Sequence, residues 1–114
     1  MPVSTAVRAA DDRLLFVLGR RRETLRRIRE DPRVAFCVLG EGLAFTARGE
    51  ARVIREELEA AKVVGLELRI DAVQDHLADG RTEMLDGARW RWVDERAARE
   101  EPLIVAELRY LAQV

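Results

Sequence analysis

The chain has 114 residues, 48% of them apolar and 36% charged, with a formal net charge of −1. That length suits a single domain over residues 1–114 with a core of its own, and the balance of apolar to charged residues excludes a disordered chain. The near-zero net charge speaks against a surface built to grip nucleic acid, and no apolar run approaches the roughly 20 residues a membrane-spanning helix needs.

The elements follow in chain order. Pro2 to Ala9 is rich in β-branched residues and reads as a strand, with a proline suited to its start. Ala10 to Arg13, with two aspartates, reads as a turn. Leu14 to Leu18 is an unbroken apolar run that returns antiparallel to the first strand. Gly19 ends it, and Arg20, Arg21 and Arg22 gather three positive charges at the mouth of a short helix. Leu25 and Ile28 mark that helix's apolar face. Asp31-Pro32 closes it, because a residue before proline is driven out of the α region. Arginines beside helix-terminal N–H groups form a place to hold an anion, and a phosphate fits best.

Arg33 to Leu39 is the next strand. Cys37, the only cysteine, sits inside its apolar run and reads as a core residue. Gly40-Glu41-Gly42 is a tight turn. Leu43 to Arg55 alternates, with Phe45, Ala47, Gly49, Ala51 and Val53 on one side and Arg48, Glu50 and Arg52 on the other. Gly49 in its middle signals a bulge or a close backbone approach. Glu56 to Ala61 is a polar connection, and Glu56, Glu57 and Glu59 read as a solvated charge run. Val63 to Val73 is a strand with Val64, Leu66, Leu68, Ile70 and Ala72 on one face. Gln74 to Arg81 is a loop. Met84 to Val93 reads as a strand carrying Trp90 and Trp92 on one face. Asp94 is a good N-cap for a helical tail, Glu95 to Ala112. Pro102 is expected to break that tail or to open a second helix. Leu103, Ala106 and Tyr110 form a stripe on it, with Leu108 and Leu111 close by.

The sum is five or six mostly antiparallel strands, one short helix between strands, and helices at the end. This is a mainly β, α+β pattern, and it favours a small barrel with appended helices. A single cysteine allows no internal disulfide, and the start lacks the basic and apolar regions of a secretory signal, so the expectation is a cytoplasmic protein. One histidine, His76, leaves no multi-histidine metal site, and it reads as structural or exposed. No Ser-His-Asp arrangement, P-loop or dinucleotide glycine fingerprint occurs. The arginine loop also has a plainer reading, as a solvated helix face paired with Glu23, Glu30 and Asp31.

The run from Gly19 to Ile54 resembles the core of the pyridoxamine 5′-phosphate oxidase-like proteins, the FMN-binding split-barrel superfamily. The similar parts are the strand ending in Gly19, the basic segment before Thr24-Leu25, the Asp31-Pro32-Arg33-Val34 word, and the Gly49 to Ile54 strand. Val73 to His76 and Trp90-Arg91-Trp92 resemble words in the same family.

The resemblance implies a six-stranded, antiparallel split β-barrel, a homodimer, and flavin sites at the dimer interface. It implies that Val3, Ser4 and Thr5 face the ring system and that Arg20, Arg21, Arg22, Thr24 and Arg26 or Arg27 hold the phosphate. It gives Trp90 or Trp92 a place against a ring from the second subunit, although both also read as packing or interface residues. The expected cofactor is FMN, with the deazaflavin coenzyme or none as alternatives, and no metal. The expected activity is hydride or electron transfer to a small molecule, with no side chain marked as acid or base. Many members carry Ser-Arg-Lys in the phosphate loop; the matching positions here are Arg22-Glu23-Thr24, with an acid among them. The alternative is therefore a non-catalytic dimeric module that binds a ligand or has lost its cofactor.

Overall fold

The computed structural model describes residues 5–114. The elements are β1 (Ala6–Ala10), β2 (Arg13–Gly19), α1 (Glu23–Glu30), β3 (Arg33–Gly40), β4 (Leu43–Arg55), β5 (Val63–Asp75) and α2 (Glu95–Leu111). The strands form one sheet in the order β1-β2-β5-β4-β3. Every pairing is antiparallel. The mainly β, α+β class read from the sequence is the observed one. Among the described residues β1 and β3 remain as sheet edges.

The long β4–β5 hairpin is the spine, and alternation dictates what lies on each face. Phe16, Leu18, Val64, Leu66, Leu68 and Ala51 form one cluster, onto which α1 lays Leu25 and Ile28. Val7, Leu15 and Leu58 point the other way and meet Ile104, Leu108 and Leu111 of α2. The two helices therefore cover opposite faces of the sheet, which leaves each strand buried on both sides where they lie.

Gly49 fulfils both readings of its position. The register slips between Arg48 and Gly49, where Arg48 pairs with Ala72 but Gly49 pairs with Ile70. Asp71 is the extra residue, and every side chain beyond it changes face. Ala72 therefore leaves the face that Val64, Leu66, Leu68 and Ile70 share, contrary to the expected alternation. A second slip, between Val53 and Arg55, makes Ile54 the extra residue on β4. At the β3–β4 turn Gly42 has φ of +67°, a conformation glycine adopts without a Cβ penalty.

Four further expectations are corrected. Met84 to Val93 contains no strand. Its backbone runs against the β3–β4 turn instead: Met84 O accepts from Gly42 N at 2.8 Å. Gly87 also lies so near Leu39 that a Cβ there would stand 2.7 Å from the Leu39 carbonyl oxygen. Pro102 does not break the tail; α2 is one helix. Asp94 caps its start through Arg96 N at 2.9 Å and Ala97 N at 3.1 Å, while Ile104, Leu108 and Leu111 anchor the turns after the proline. The buried stripe is this 4-then-3 spaced set, and Leu103 and Tyr110 face outward. Cys37 is exposed. Strand alternation turns Val34, Phe36 and Val38 inward and leaves Ala35, Cys37 and Leu39 on the open side of an edge strand.

Candidate functional site

Strand register places the candidate residues. Gly19, the last residue of β2, pairs with Val63, the first of β5. Ala6 pairs with Phe16, so Thr5 enters β1 at the end of the sheet where β2 gives way to the arginine loop. The β4–β5 connection closes the same end. The structure thus brings Thr5 and the arginine loop to one end of the sheet, though not to one face: α1 follows the loop on one side and the Thr5 side chain meets α2 on the other. Val3 and Ser4 lie outside the described residues.

The loop is a β-turn, in which Arg22 N donates to Gly19 O at 3.1 Å. Arg22 then stands at the N-cap of α1, and its side chain makes no capping hydrogen bond. The first amides of α1, which have no partner within the helix, therefore remain available to an external acceptor. Thr24 sits in this first turn, half-buried.

The arginines divide into two groups. Arg20 pairs with Glu57. Arg26 pairs with Glu23 and, at 2.9 Å, with Glu30, and Arg27 pairs with Glu23 at 3.3 Å. Hydrogen bonds from Arg26 and Arg27 hold the Glu23 carboxyl below its usual range. Arg29 pairs with Glu56 at 2.7 Å, so the acidic run after β4 is in part a set of partners for this loop and helix. Arg21 and Arg22 are exposed and, among the described residues, make no side-chain ion pair. The plainer reading thus accounts for Arg26 and Arg27, except that Asp31 turns to Arg33 at 2.6 Å and not to the helix.

Thr5 is nearly buried, at 4% exposure. Its hydroxyl lies 3.3 Å from Oε1 of Glu101 on α2. The other carboxylate oxygen of Glu101 accepts the indole N–H of Trp92. Trp90 packs edge-on against Trp92, with centroids 5.2 Å apart, and stays 57% exposed. Glu101 carries no signal in the sequence. It is one acid in the Glu100-Glu101 pair before Pro102, and only the fold brings it to Thr5.

A pocket of about 270 Å³ lies elsewhere, lined by Leu43, Phe45, Val73, Asp75 and Leu77 at the β3–β4 turn. It touches the last residue of β5, whereas the arginine loop sits beside the first, a separation of about 40 Å along a strand of this length. At the pocket end of the sheet Thr46 Oγ1 and His76 Nε2 are 2.8 Å apart, so the histidine read as structural or exposed joins the residue after β5 to β4. Among the described residues no helix is long and apolar enough to cross a membrane.

The family model described as pyridoxamine 5′-phosphate oxidase matches residues 1–94 of the chain. The matched span includes all five strands, α1 and both tryptophans and ends at the cap of α2. No curated protein matches the chain.

Proposed function

The chain belongs to the pyridoxamine 5′-phosphate oxidase family, and from that premise we propose that it binds flavin mononucleotide and serves hydride or electron transfer to a small molecule. The observation that carries this is the pairing pattern of the arginine loop. Five acid–arginine contacts occupy Arg20, Arg26, Arg27 and Arg29, while among the described residues no acid pairs with Arg21 or Arg22 beside the uncapped start of α1. Two guanidiniums and exposed helix amides fit a phosphate dianion. In this reading Arg21, Arg22 and the α1 amides hold the phosphate, Thr24 adds a hydroxyl donor, and the start of β1 lies toward the ring. A bound flavin supplies the redox chemistry, and the chain supplies position and charge.

The same reading includes a homodimer. Ala35, Cys37 and Leu39 lie on the open side of an edge strand, and Leu39, Leu43 and Val73 are 53%, 45% and 60% exposed. An apolar edge of this kind is suited to a partner, and a second copy is the occupant proposed here.

The test is the visible absorbance spectrum of the purified protein, with mass spectrometry of what heat denaturation releases. Flavin bands and released FMN are the expected result. A colourless protein that also fails to bind added FMN overturns the proposal and favours a cofactor-free module.

A further inference from the structure

The family match stops at residue 94, yet the helix that follows is built into the core and reaches the proposed cofactor end of the sheet. Ile104 and Leu111 are 7% exposed and Leu108 is fully buried. From the same helix Glu101 extends its carboxylate to two donors that the matched segment contributes, the Thr5 hydroxyl and the Trp92 indole. One carboxylate thus ties together the start of β1, the irregular segment before α2, and α2 itself.

We infer that Glu101 is a positioning residue for the flavin site, acting through Thr5 and Trp92. The inference rests on the flavin reading above. Thr5 is buried with its hydroxyl turned toward Glu101, so its side chain is directed at the helix and the backbone at the start of β1 is what remains for a ring to meet. A carboxylate that accepts from both donors fixes that backbone and the Trp90–Trp92 pair relative to each other. Both groups lie at the sheet end where β2 gives way to the arginine loop or are tied to it. Hydrogen bonds to a charged acceptor are the stronger class, which suits a fixed geometry.

The experiment compares wild type, Glu101→Ala, Glu101→Gln and Glu100→Ala by FMN titration and thermal melting. A Trp90→Phe background is used for emission, so that Trp92 is the reporter. Glu100 sits in the same helical turn and pairs with Arg96 at 2.8 Å, so its variant controls for a weakened helix. Glu101→Ala is expected to weaken FMN about tenfold and to red-shift Trp92 emission, which corresponds to one lost polar contact. Glu101→Gln is expected to fall between it and wild type, and Glu100→Ala to bind as wild type does. If Glu101→Ala does not fold, Glu101→Gln carries the comparison. Unchanged affinity in a Glu101 variant while wild type binds overturns this inference alone, as does an equal loss in Glu100→Ala or an unchanged Trp92 emission. Failure of wild type to bind FMN overturns the flavin reading and this inference with it.

Discussion

Gly49 of β4 passes directly against the backbone of Arg69 in β5: a Cβ at Gly49 would stand 2.8 Å from the Arg69 carbonyl carbon and 3.0 Å from the Ile70 Cα. Neither neighbour is a flexible side-chain end, so no rotamer change relieves the clash. The contact falls where Asp71 is squeezed out of register, and the bulge and the glycine depend on each other. Gly49→Ala is therefore expected to cost about 3 kcal/mol, at the upper end for overpacking, read as a lower midpoint in chemical denaturation. Gly40→Ala, where a Cβ meets nothing within 4 Å, is expected to stay near wild type.

The bulge also marks how far the sequence could be read. Gly49 announced itself, because a glycine inside an alternating strand weakens it unless a bulge or a close backbone approach requires one. Its consequence for Ala72 was not legible, since the extra residue lies on the partner strand. Local signals placed α1 and its stop at Asp31-Pro32, where the C-cap backbone is extended as expected. In the tail Leu103, Ile104 and Val105 are consecutive, so periodicity could not choose which of them faces the sheet; packing against Val7 and Leu15 did. Cys37 misled for a related reason, as an apolar run does not say whether both faces of a strand are covered. At the site, the basic loop was legible as charge, but which arginines stay free was not, because Glu57 and Glu56 are distant in sequence.

Glu67 is a buried acid between Leu66 and Leu68 in β5. It is 2% exposed and accepts from Arg13 at 2.7 Å and Arg52 at 3.1 Å. Burial pushes its carboxyl up, but the two arginine hydrogen bonds outweigh burial and leave its pKa below the ordinary value of 4.5. A depressed folded-state pKa contributes stability that is present above the unfolded value and is lost as pH falls through the folded one. Glu67→Gln keeps the shape and removes the charge. It is expected to cost about 1–2 kcal/mol at neutral pH and to flatten the loss of stability on acidification, both measured by denaturation across pH.

Asp31 and Arg33 flank Pro32 at the exit of α1. Arg33 donates to Asp31 through its side chain at 2.6 Å and its backbone N–H at 3.1 Å. These contacts lower the Asp31 carboxyl from 3.8 to about 2. Its pairing is thus intact above the ordinary value and lost as pH falls toward about 2. Arg33→Ala removes the side-chain bonds and leaves the backbone one. NMR titration of the Asp31 carboxyl carbon is expected to show its midpoint rising most of the way toward the ordinary range. A midpoint that does not move would assign the depression to the backbone N–H.

The division of the arginines gives the sharpest test of the proposed phosphate site. Arg26 and Arg27 are held by Glu23, so recruiting either to a phosphate means breaking an existing pair. Arg21 and Arg22 carry no such obligation among the described residues and stand where the α1 amides begin. Loss of a hydrogen bond to a charged group costs about 1.5–3 kcal/mol, which is about tenfold to a hundredfold in affinity. Arg21→Ala and Arg22→Ala are expected to weaken FMN by that factor each, and to weaken riboflavin, which lacks the phosphate, far less. Arg26→Ala and Arg27→Ala are expected to leave FMN affinity within a few-fold of wild type. Glu23→Gln releases Arg27, leaves Arg26 with Glu30 alone, and removes a negative charge beside the loop, so FMN should bind more tightly. Calorimetric titration of the five variants with both ligands reads all of this. If the Arg26 and Arg27 variants lose as much as the Arg21 and Arg22 variants, the phosphate lies further along α1. If none responds, the arginine loop is a solvated surface, and whatever the family fold binds here is held elsewhere.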